Sequence, residues 1–189
     1  LAIDTETTGL PKYNRASYTN TQAYDTCRVL SVAIVTYDDH GVIKDTFHSI
    51  IYPDNFKVAA TEIHGITQEH AQEVGRPFEI VFRLLLEKVR EIPHIVGHNI
   101  EFDLNVLKAE AVRRQIPWGD LSSAEVSCPF TMAKTFYGKP IKLINLYEKI
   151  FNNPFDNAHN ALADARASGD IFVYFNQDPR KAEPIETKK

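Results

Sequence analysis

The feature that most constrains the fold is a long apolar segment near the N-terminus, RVLSVAIVTY at residues 28–37. It is rich in Val and Ile and almost continuously apolar, which is typical of a central strand buried on both faces. The turn DDHG at residues 38–41 and a second strand at residues 42–51 follow it. These segments predict a β-hairpin near the middle of a sheet.

The remaining elements follow from changes in the period of apolar residues. Between Pro77 and Pro93, apolar residues recur at helical spacing, which predicts a helix. The other predicted elements are strands at residues 1–6 and 94–97 and helices at residues 101–114, 141–151 and 159 to about 175. Strands followed by alternating helices and strands predict an α/β domain with a mixed sheet. We assign residues 1–176 to this domain and residues 177–189 to a polar tail.

Composition limits the classes of protein to which the chain belongs. Of its 189 residues, 43% are hydrophobic and 24% charged, and no apolar run is long enough to span a membrane. Cys27 and Cys128 lack metal-type spacing, so we expect reduced thiols in a cytoplasmic protein, with a disulfide as the alternative. The net charge of −4 argues against holding duplex nucleic acid by phosphate contacts alone, but not against an acidic site that meets phosphate through metal ions. Because the chain begins inside a strand without Met, we expect a few preceding residues.

Two carboxylates lie two residues apart near the end of the first strand, Asp4 and Glu6 in LAIDTETTGLP. The chain has 25 acidic residues, so about three such pairs arise by chance and the spacing alone is weak. Residues two apart in a strand share a face, and this pair lies at the carboxyl end, where open α/β sheets form their sites. The pair is therefore either a solvated strand end or part of a functional site.

Further acidic residues lie at the start of two predicted helices. Asp103, in VGHNIEFDLNVL, is in the first turn after a short strand, where it either caps the helix or faces the apolar seam. In HNALADARASG, the five-residue separation predicts that His159 precedes the last helix and Asp164 lies in its first turns. His159 alone would also fit a surface or capping histidine. The alanines at positions 161, 163 and 165 allow this helix to pack on the sheet and carry Asp164 towards Asp4.

Convergence of these carboxylates requires a cation. Four carboxylates brought together would otherwise repel one another strongly. Their oxygens suit Mg²⁺ or Mn²⁺, and two such ions about 3.5–4 Å apart can activate a water and stabilise the leaving oxygen in phosphodiester cleavage. The sequence therefore predicts a site for two divalent ions.

Three segments, DTETTG, HNIEFD and HNALADA, resemble the motifs of the DEDDh family of 3′–5′ exonucleases, which includes the proofreading epsilon subunit of bacterial DNA polymerase III. The segment IHGIT at residues 63–67 resembles a stretch common in that branch. The resemblance extends from residue 1 to about residue 175, with the motifs in the family's order. It implies an RNase H-like, mixed five-stranded sheet flanked by helices, two bound divalent ions, and release of nucleoside 5′-monophosphates from the 3′ end of single-stranded DNA.

The resemblance also implies roles for individual residues. By this match the metal-binding carboxylates are Asp4, Glu6, Asp103 and Asp164. His159 would be the general base that takes a proton from the attacking water, a position occupied by Tyr in sister families. Thr7, Thr8 and Gly9 would offer backbone and side-chain groups to the terminal nucleotide. The residues that would line or brace the site are His64, His98 and Asn99.

Two features depart from the family pattern. The loop at residues 12–26 is longer and more aromatic than usual, with Tyr13, Tyr18 and Tyr24. We expect these side chains to pack or to be disordered, and base stacking is the alternative. A DNA polymerase is a candidate partner, but the C-terminal residues contain no obvious clamp-binding motif, which argues against a place in a replicative polymerase.

Two other functions stay open at this point. The same motifs fit an exonuclease that acts on RNA or short oligonucleotides, which only a substrate profile would separate from one acting on DNA. A non-catalytic nucleic-acid-binding domain of the same fold is expected to lack one of the carboxylates or the histidine. All five of these residues are present in the chain.

Overall fold

A mixed sheet forms the centre of the protein in the computed structural model, which describes residues 1–155 and 158–177. The strands are β1 (Ala2–Thr7), β2 (Val29–Tyr37), β3 (Ile43–Ile50), β4 (His94–Val96) and β5 (Glu125–Ser127). The helices are α1 (Thr61–His64), α2 (Gln68–Val74), α3 (Phe78–Glu91), α4 (Glu101–Arg113), α5 (Gly119–Ser123), α6 (Pro129–Tyr137), α7 (Leu143–Phe151) and α8 (Ala161–Gln177). A short 3₁₀ helix covers Thr21–Tyr24.

The strand order is β3-β2-β1-β4-β5. Strand β2 is antiparallel to both β1 and β3, whereas β4 is parallel to β1 and β5 is parallel to β4. This is the mixed five-stranded sheet that the resemblance implied, so the RNase H-like prediction is confirmed. Strand β2 is buried along its length up to Tyr37, as its apolar sequence predicted.

Helices cover both faces of the sheet. On one face, side chains of β1 and β2 pack against α3 and α4 in the largest hydrophobic cluster, which includes Ile3, Val32, Ile34, Phe82 and Leu107. On the other face Ala161 and Ala165 of α8 pack against small side chains of the sheet, namely Ala2, Ala33 and Val35. Because these residues are small, α8 approaches the sheet closely, as the alanines at positions 161 and 165 predicted. Ala163 is only partly buried.

The position of α8 depends on a glycine. A Cβ atom at Gly169 would lie 2.4 Å from the ring of Tyr37, whose hydroxyl is 3.0 Å from both the Arg166 carbonyl oxygen and an Asp170 carboxylate oxygen. We expect Gly169→Ala to lower the free energy of unfolding by up to about 2 kcal/mol, because the overpacking outweighs the gain in helix propensity. In a Tyr37→Ala background the same change should instead stabilise the protein. Urea unfolding of the wild type, the two single variants and the double variant measures both values, and an effect of the same sign in both backgrounds would contradict this expectation.

The predicted elements agree with the structure except where elements are short. The helices predicted at residues 101–114 and 141–151 are α4 and α7, and the last helix begins two residues later than predicted. Strand β5 and helices α1, α2, α5 and α6 were not predicted. The predicted tail at residues 177–189 begins at the last residue of α8, and residues 178–189 lie outside the described residues.

The helices and the two cysteines of the structure can be compared with what composition led us to expect. Among residues 1–155 and 158–177, no helix combines the length and the apolar character that a membrane crossing requires. Cys27 is a buried free thiol, and Cys128 is a partly buried free thiol.

Candidate active site

Three carboxylates meet where β1 ends. Asp4 and Glu6 project from the face of β1 that α8 covers, because alternate residues of a strand share a face. Their partners across the strand pair are Ala33 and Ser31, whose small side chains leave room for the carboxylates. Asp164 lies in the first turn of α8. One carboxylate oxygen from each of Asp4, Glu6 and Asp164 lies within 4.8 Å of the other two.

Asp103 lies beside this cluster and is held by β1 itself. Its carboxylate accepts hydrogen bonds from the Thr5 backbone N–H at 2.9 Å and from the Thr5 hydroxyl at 2.6 Å. The ladder between β1 and β4 is limited to the pair Ala2 and Val96, so the first turn of α4 takes the place of a strand partner for Thr5. Asp103 is 4% exposed. The predicted convergence of four carboxylates is therefore a cluster of three with Asp103 anchored next to it.

Burial raises the pKa values of all four carboxyl groups, and repulsion by neighbouring carboxylates adds to the rise for Asp4, Glu6 and Asp103. The pKa of Asp4 lies well above its ordinary value, through burial first and then through Asp103, Asp164 and Glu6. Burial, with Asp164 and Asp103, raises the pKa of Glu6 to about 8. Burial also raises the pKa of Asp103 to about 7 and that of Asp164 to about 6, although the hydrogen bonds that these carboxylates accept act to lower both pKa values. In the metal-free protein the site therefore retains protons that a cation would displace.

The donor set fits a hard divalent cation. The three clustered side chains offer carboxylate oxygens only, the ligands that Mg²⁺ and Mn²⁺ prefer. One oxygen of Asp164, Oδ1, is buried and has no hydrogen-bond partner among the described residues. Such an oxygen is costly to bury unless a cation or donor satisfies it. Asp4, Glu6 and Asp164 are therefore suited to hold a divalent ion, with Asp103 adjacent.

His159 lies at the approach to α8, as the five-residue spacing predicted. It is exposed, and its backbone N–H donates a 3.2 Å hydrogen bond to Oδ2 of Asp164. Its backbone is in the left-handed region with φ of 65°, which turns the chain just before the helix. Together with Glu6, His159 lines a cavity of about 230 Å³. The histidine and one of the three clustered carboxylates, Glu6, thus share one recess.

Three further histidines line the same cavity: His48, His64 and His70. His64, predicted to line or brace the site, has both ring nitrogens engaged, Nδ1 with the Ile66 N–H at 3.0 Å and Nε2 with the Ala59 carbonyl oxygen at 2.9 Å. It therefore braces its own turn. His48 was missed, although register could have identified it, since it pairs with Ala33, the partner of Asp4. Burial lowers the pKa of His48.

The turn after β1 is braced internally. The Thr8 hydroxyl donates to the Thr26 carbonyl oxygen at 3.1 Å and accepts from the Arg28 N–H at 2.9 Å. The Thr7 hydroxyl donates to the Gly9 carbonyl oxygen at 2.8 Å. A Cβ atom at Gly9 would lie 3.0 Å from the Thr26 carbonyl oxygen. These hydrogen bonds brace the turn, and the contact of Thr7, Thr8 and Gly9 with the terminal nucleotide stays a prediction.

His98 and Asn99 precede α4 and differ in exposure. His98 is half-buried, its ring packs edge-on against Phe130 at 5.4 Å, and burial lowers its pKa to about 4. A neutral, packed imidazole fits a bracing role. Asn99 is exposed, and its N–H donates to the Cys128 sulfur at 3.2 Å. It lines a separate cleft together with Leu10 and Tyr13.

Known proteins share this sequence pattern. A family model described as exonuclease, of the RNase T type, matches residues 1–172. The 3′–5′ exonuclease DinG of Staphylococcus haemolyticus is 28% identical over 193 residues. The match covers 99% of this chain and 19% of DinG, so the chain spans about a fifth of the length of that protein.

Solved structures share the fold. The zinc-bound complex of E. coli exonuclease I with single-stranded DNA has a TM-score of 0.71 at 20% identity, over 95% of this chain and 41% of that one. The nuclease domain of 3′hExo, a DEDDh family member bound to rAMP, has a TM-score of 0.69 at 17% identity, over 97% of this chain and 94% of that one. At these identities the likeness establishes the fold alone, and neither structure bears specifically on the epsilon subunit. Since the exonuclease model matches from residue 1 to residue 172, the chain belongs to the RNase T exonuclease family, as its DEDDh motifs predicted.

Proposed function

We propose that the chain is a metal-dependent 3′–5′ exonuclease that removes nucleoside 5′-monophosphates from the 3′ end of single-stranded DNA. The observation that carries this proposal is the meeting of three carboxylate oxygens within 4.8 Å at the end of β1. Two further observations support it: Asp103 is anchored beside these carboxylates, and His159 lines a recess together with Glu6. The DNA preference is supported by exonuclease I, which shares the fold and binds single-stranded DNA.

The carboxylates have distinct parts in this proposal. Asp4, Glu6 and Asp164 would hold divalent ions, and Asp103 would complete the set from a position fixed by Thr5. DEDDh exonucleases use divalent metal ions, and two bound Mg²⁺ or Mn²⁺ ions would supply an activated water and charge stabilisation at the scissile phosphate. Because two hydrogen bonds fix Asp103, its carboxylate is already oriented in the metal-free protein.

His159 is proposed as the general base. Its backbone is tied to Asp164, whereas its imidazole makes no hydrogen bond to another residue in the part of the chain that the structure describes. The ring is therefore free to reach a water next to the carboxylates and accept its proton. His64 is unsuited to that role, because both of its ring nitrogens are already engaged.

RNA or a short oligonucleotide is a second candidate substrate. The nuclease domain of 3′hExo shares the fold and is bound to rAMP. A non-catalytic binding domain is less consistent with the geometry, because three carboxylates cluster and one of them, Glu6, shares a recess with His159. A DNA polymerase partner and a cytoplasmic location stay predictions from the sequence.

A digestion experiment tests this function and its metal requirement together. With 5′-labelled strands and Mg²⁺ or Mn²⁺, we expect a ladder of products shortened one nucleotide at a time from the 3′ end. Single-stranded DNA should be degraded faster than duplex DNA or RNA. Excess EDTA should abolish cleavage, and Zn²⁺ should support it poorly, because the cluster offers carboxylate oxygens and no thiolate. Activity that survives EDTA and dialysis, or release of the labelled 5′ nucleotide first, would contradict the proposal.

A further inference from the structure

A second cleft, of about 470 Å³, opens between the segment after β1 and the start of α4. We call it the loop cleft. Its lining includes Leu10, Tyr13, Arg15, Asn99, Phe102 and Asn105. The proposed chemistry at the carboxylates uses none of these side chains. Residues that line the loop cleft nevertheless lie next to the carboxylates in the sequence, since Phe102 precedes Asp103 and Leu10 follows the turn after β1.

The loop that forms one wall of this cleft is folded onto the protein. Tyr24 is 3% exposed, and its hydroxyl donates to the Ala16 carbonyl oxygen at 2.7 Å. The guanidinium of Arg113 in α4 donates to the Thr21 carbonyl oxygen at 2.6 Å. Tyr18 packs edge-on against Trp118 at 5.0 Å. Two of the three loop tyrosines therefore pack, as expected from the sequence.

Tyr13 differs from the other two tyrosines. Its side chain is 51% exposed, and the neighbouring Leu10 is 74% exposed. The Asn20 side-chain amide donates to the Tyr13 hydroxyl at 2.6 Å, which ties the ring to its own loop. The loop thus presents an aromatic ring that is oriented but uncovered. Such a ring is suited to stacking on a base at little entropic cost.

The charges around the loop cleft favour a base over a phosphate. Arg15 and Glu101 both line it, so their charges offset one another. Three asparagine amides also line it, from Asn14, Asn99 and Asn105. Each amide offers both donors and acceptors, which can bond to the edge of any base. The lining therefore combines a stacking surface with adaptable hydrogen bonds.

We propose that the loop cleft holds a nucleobase of the substrate strand on the 5′ side of the scissile phosphate, with Tyr13 as its stacking platform. This rests on the proposed exonuclease function and extends it to the longer loop of this chain. It predicts that strands with nucleotides upstream of the cleavage point are bound better than a single terminal nucleotide. It also predicts little preference among bases, since stacking tolerates any of them.

A binding measurement tests the cleft without cleavage. Single-stranded DNA carries 2-aminopurine at one of the second to fifth positions from the 3′ end, with Ca²⁺ in place of Mg²⁺. We expect the protein to quench the probe at one of these positions. Tyr13→Phe should retain that quenching, whereas Tyr13→Leu, which keeps bulk but removes the aromatic face, should lose it. Tyr52→Leu is the matched control, because Tyr52 is 41% exposed and lies outside the cleft.

A kinetic comparison distinguishes failure of this inference from failure of the proposed function. On a twelve-nucleotide strand, Tyr13→Leu should lower kcat/KM by roughly tenfold or more, the scale of losing one base stack. On the p-nitrophenyl ester of thymidine 5′-monophosphate, which has no upstream nucleotide, it should change kcat/KM by less than about twofold. Equal effects on both substrates, or quenching that survives in Tyr13→Leu, would overturn the inference. If the wild type cleaves neither substrate, the proposed function fails, and the quenching still tests the cleft.

Discussion

Asp4→Asn is expected to lower cleavage by roughly three orders of magnitude or more while leaving the protein folded. Asp4 is one of the three residues whose carboxylate oxygens lie within 4.8 Å of one another. An amide carries no negative charge, so both metal affinity and the placement of the remaining ligands should suffer. Single-turnover digestion of a labelled strand at several Mg²⁺ concentrations measures the loss. Asp39→Asn, in the exposed turn after β2, is the matched control and should cleave like wild type.

The same variant should be more stable than wild type when no metal is bound. The raised pKa of Asp4, caused by burial and by three neighbouring carboxylates, means that ionisation of this group opposes folding. The raised pKa values of Asp103 and Glu6, to about 7 and about 8, act in the same direction. Between the ordinary carboxyl range and about pH 8 the folded protein therefore binds more protons than the unfolded chain. Its stability should fall as pH rises through that window.

Thermal unfolding in EDTA at pH 5 and pH 8 measures this effect. The wild-type midpoint should be lower at pH 8, and Asp4→Asn should reduce the difference, because one of the repelling charges is gone. Added Mg²⁺ should raise the wild-type midpoint at pH 8 more than that of the variant. A variant that cleaves within a few-fold of wild type, or that loses stability in EDTA at pH 8, would contradict the assignment of Asp4 to the metal centre.

The elements predicted correctly from the sequence are those with a long periodic signal. Strand β2 and helices α3 and α4 each contain enough apolar residues in register to be recognised. Strand β5 has three residues, EVS, of which the first two are exposed, so no alternation could mark it. Helix α1 has four residues and no buried side chain. Such short elements are determined by their neighbours in the fold.

The carboxylates that the structure brings together could be predicted from the sequence, but their arrangement could not. The motifs bring together Asp4, Glu6 and Asp164, and α8 carries the last of these to the strand as its alanines predicted. Asp103 can bind Thr5 because the ladder between β1 and β4 is short. The length of that ladder is known only once the strands are seen to pair. The Thr8 hydroxyl can bond to the Thr26 carbonyl oxygen because the intervening loop returns to β1. Local sequence carries no signal for these longer contacts.

The second large effect is expected for His159→Ala, which should lower turnover by roughly two to four orders of magnitude, the scale of losing a general base. Metal binding and the fold should be nearly unchanged. The contact of His159 with Asp164 is made by its backbone N–H, which alanine retains. Because the φ of 65° at this position suits asparagine better than alanine, His159→Asn separates loss of the imidazole from backbone strain. Isothermal titration with Mn²⁺ and single-turnover cleavage measure the two properties for each variant.

The pH profile of turnover decides whether the imidazole accepts a proton. A protonated imidazole cannot take a proton from water, so wild-type turnover at saturating metal should fall on the acid side. His159→Ala and His159→Asn should lose that part of the profile and retain a low, flatter rate. Because Glu6, His48, His64 and His70 line the same cavity, His70→Ala serves as the matched control and should keep the wild-type acid limb. If the acid limb survives in both His159 variants, or if they turn over like wild type, then His159 only orders the approach to α8, and another group in the recess accepts the proton.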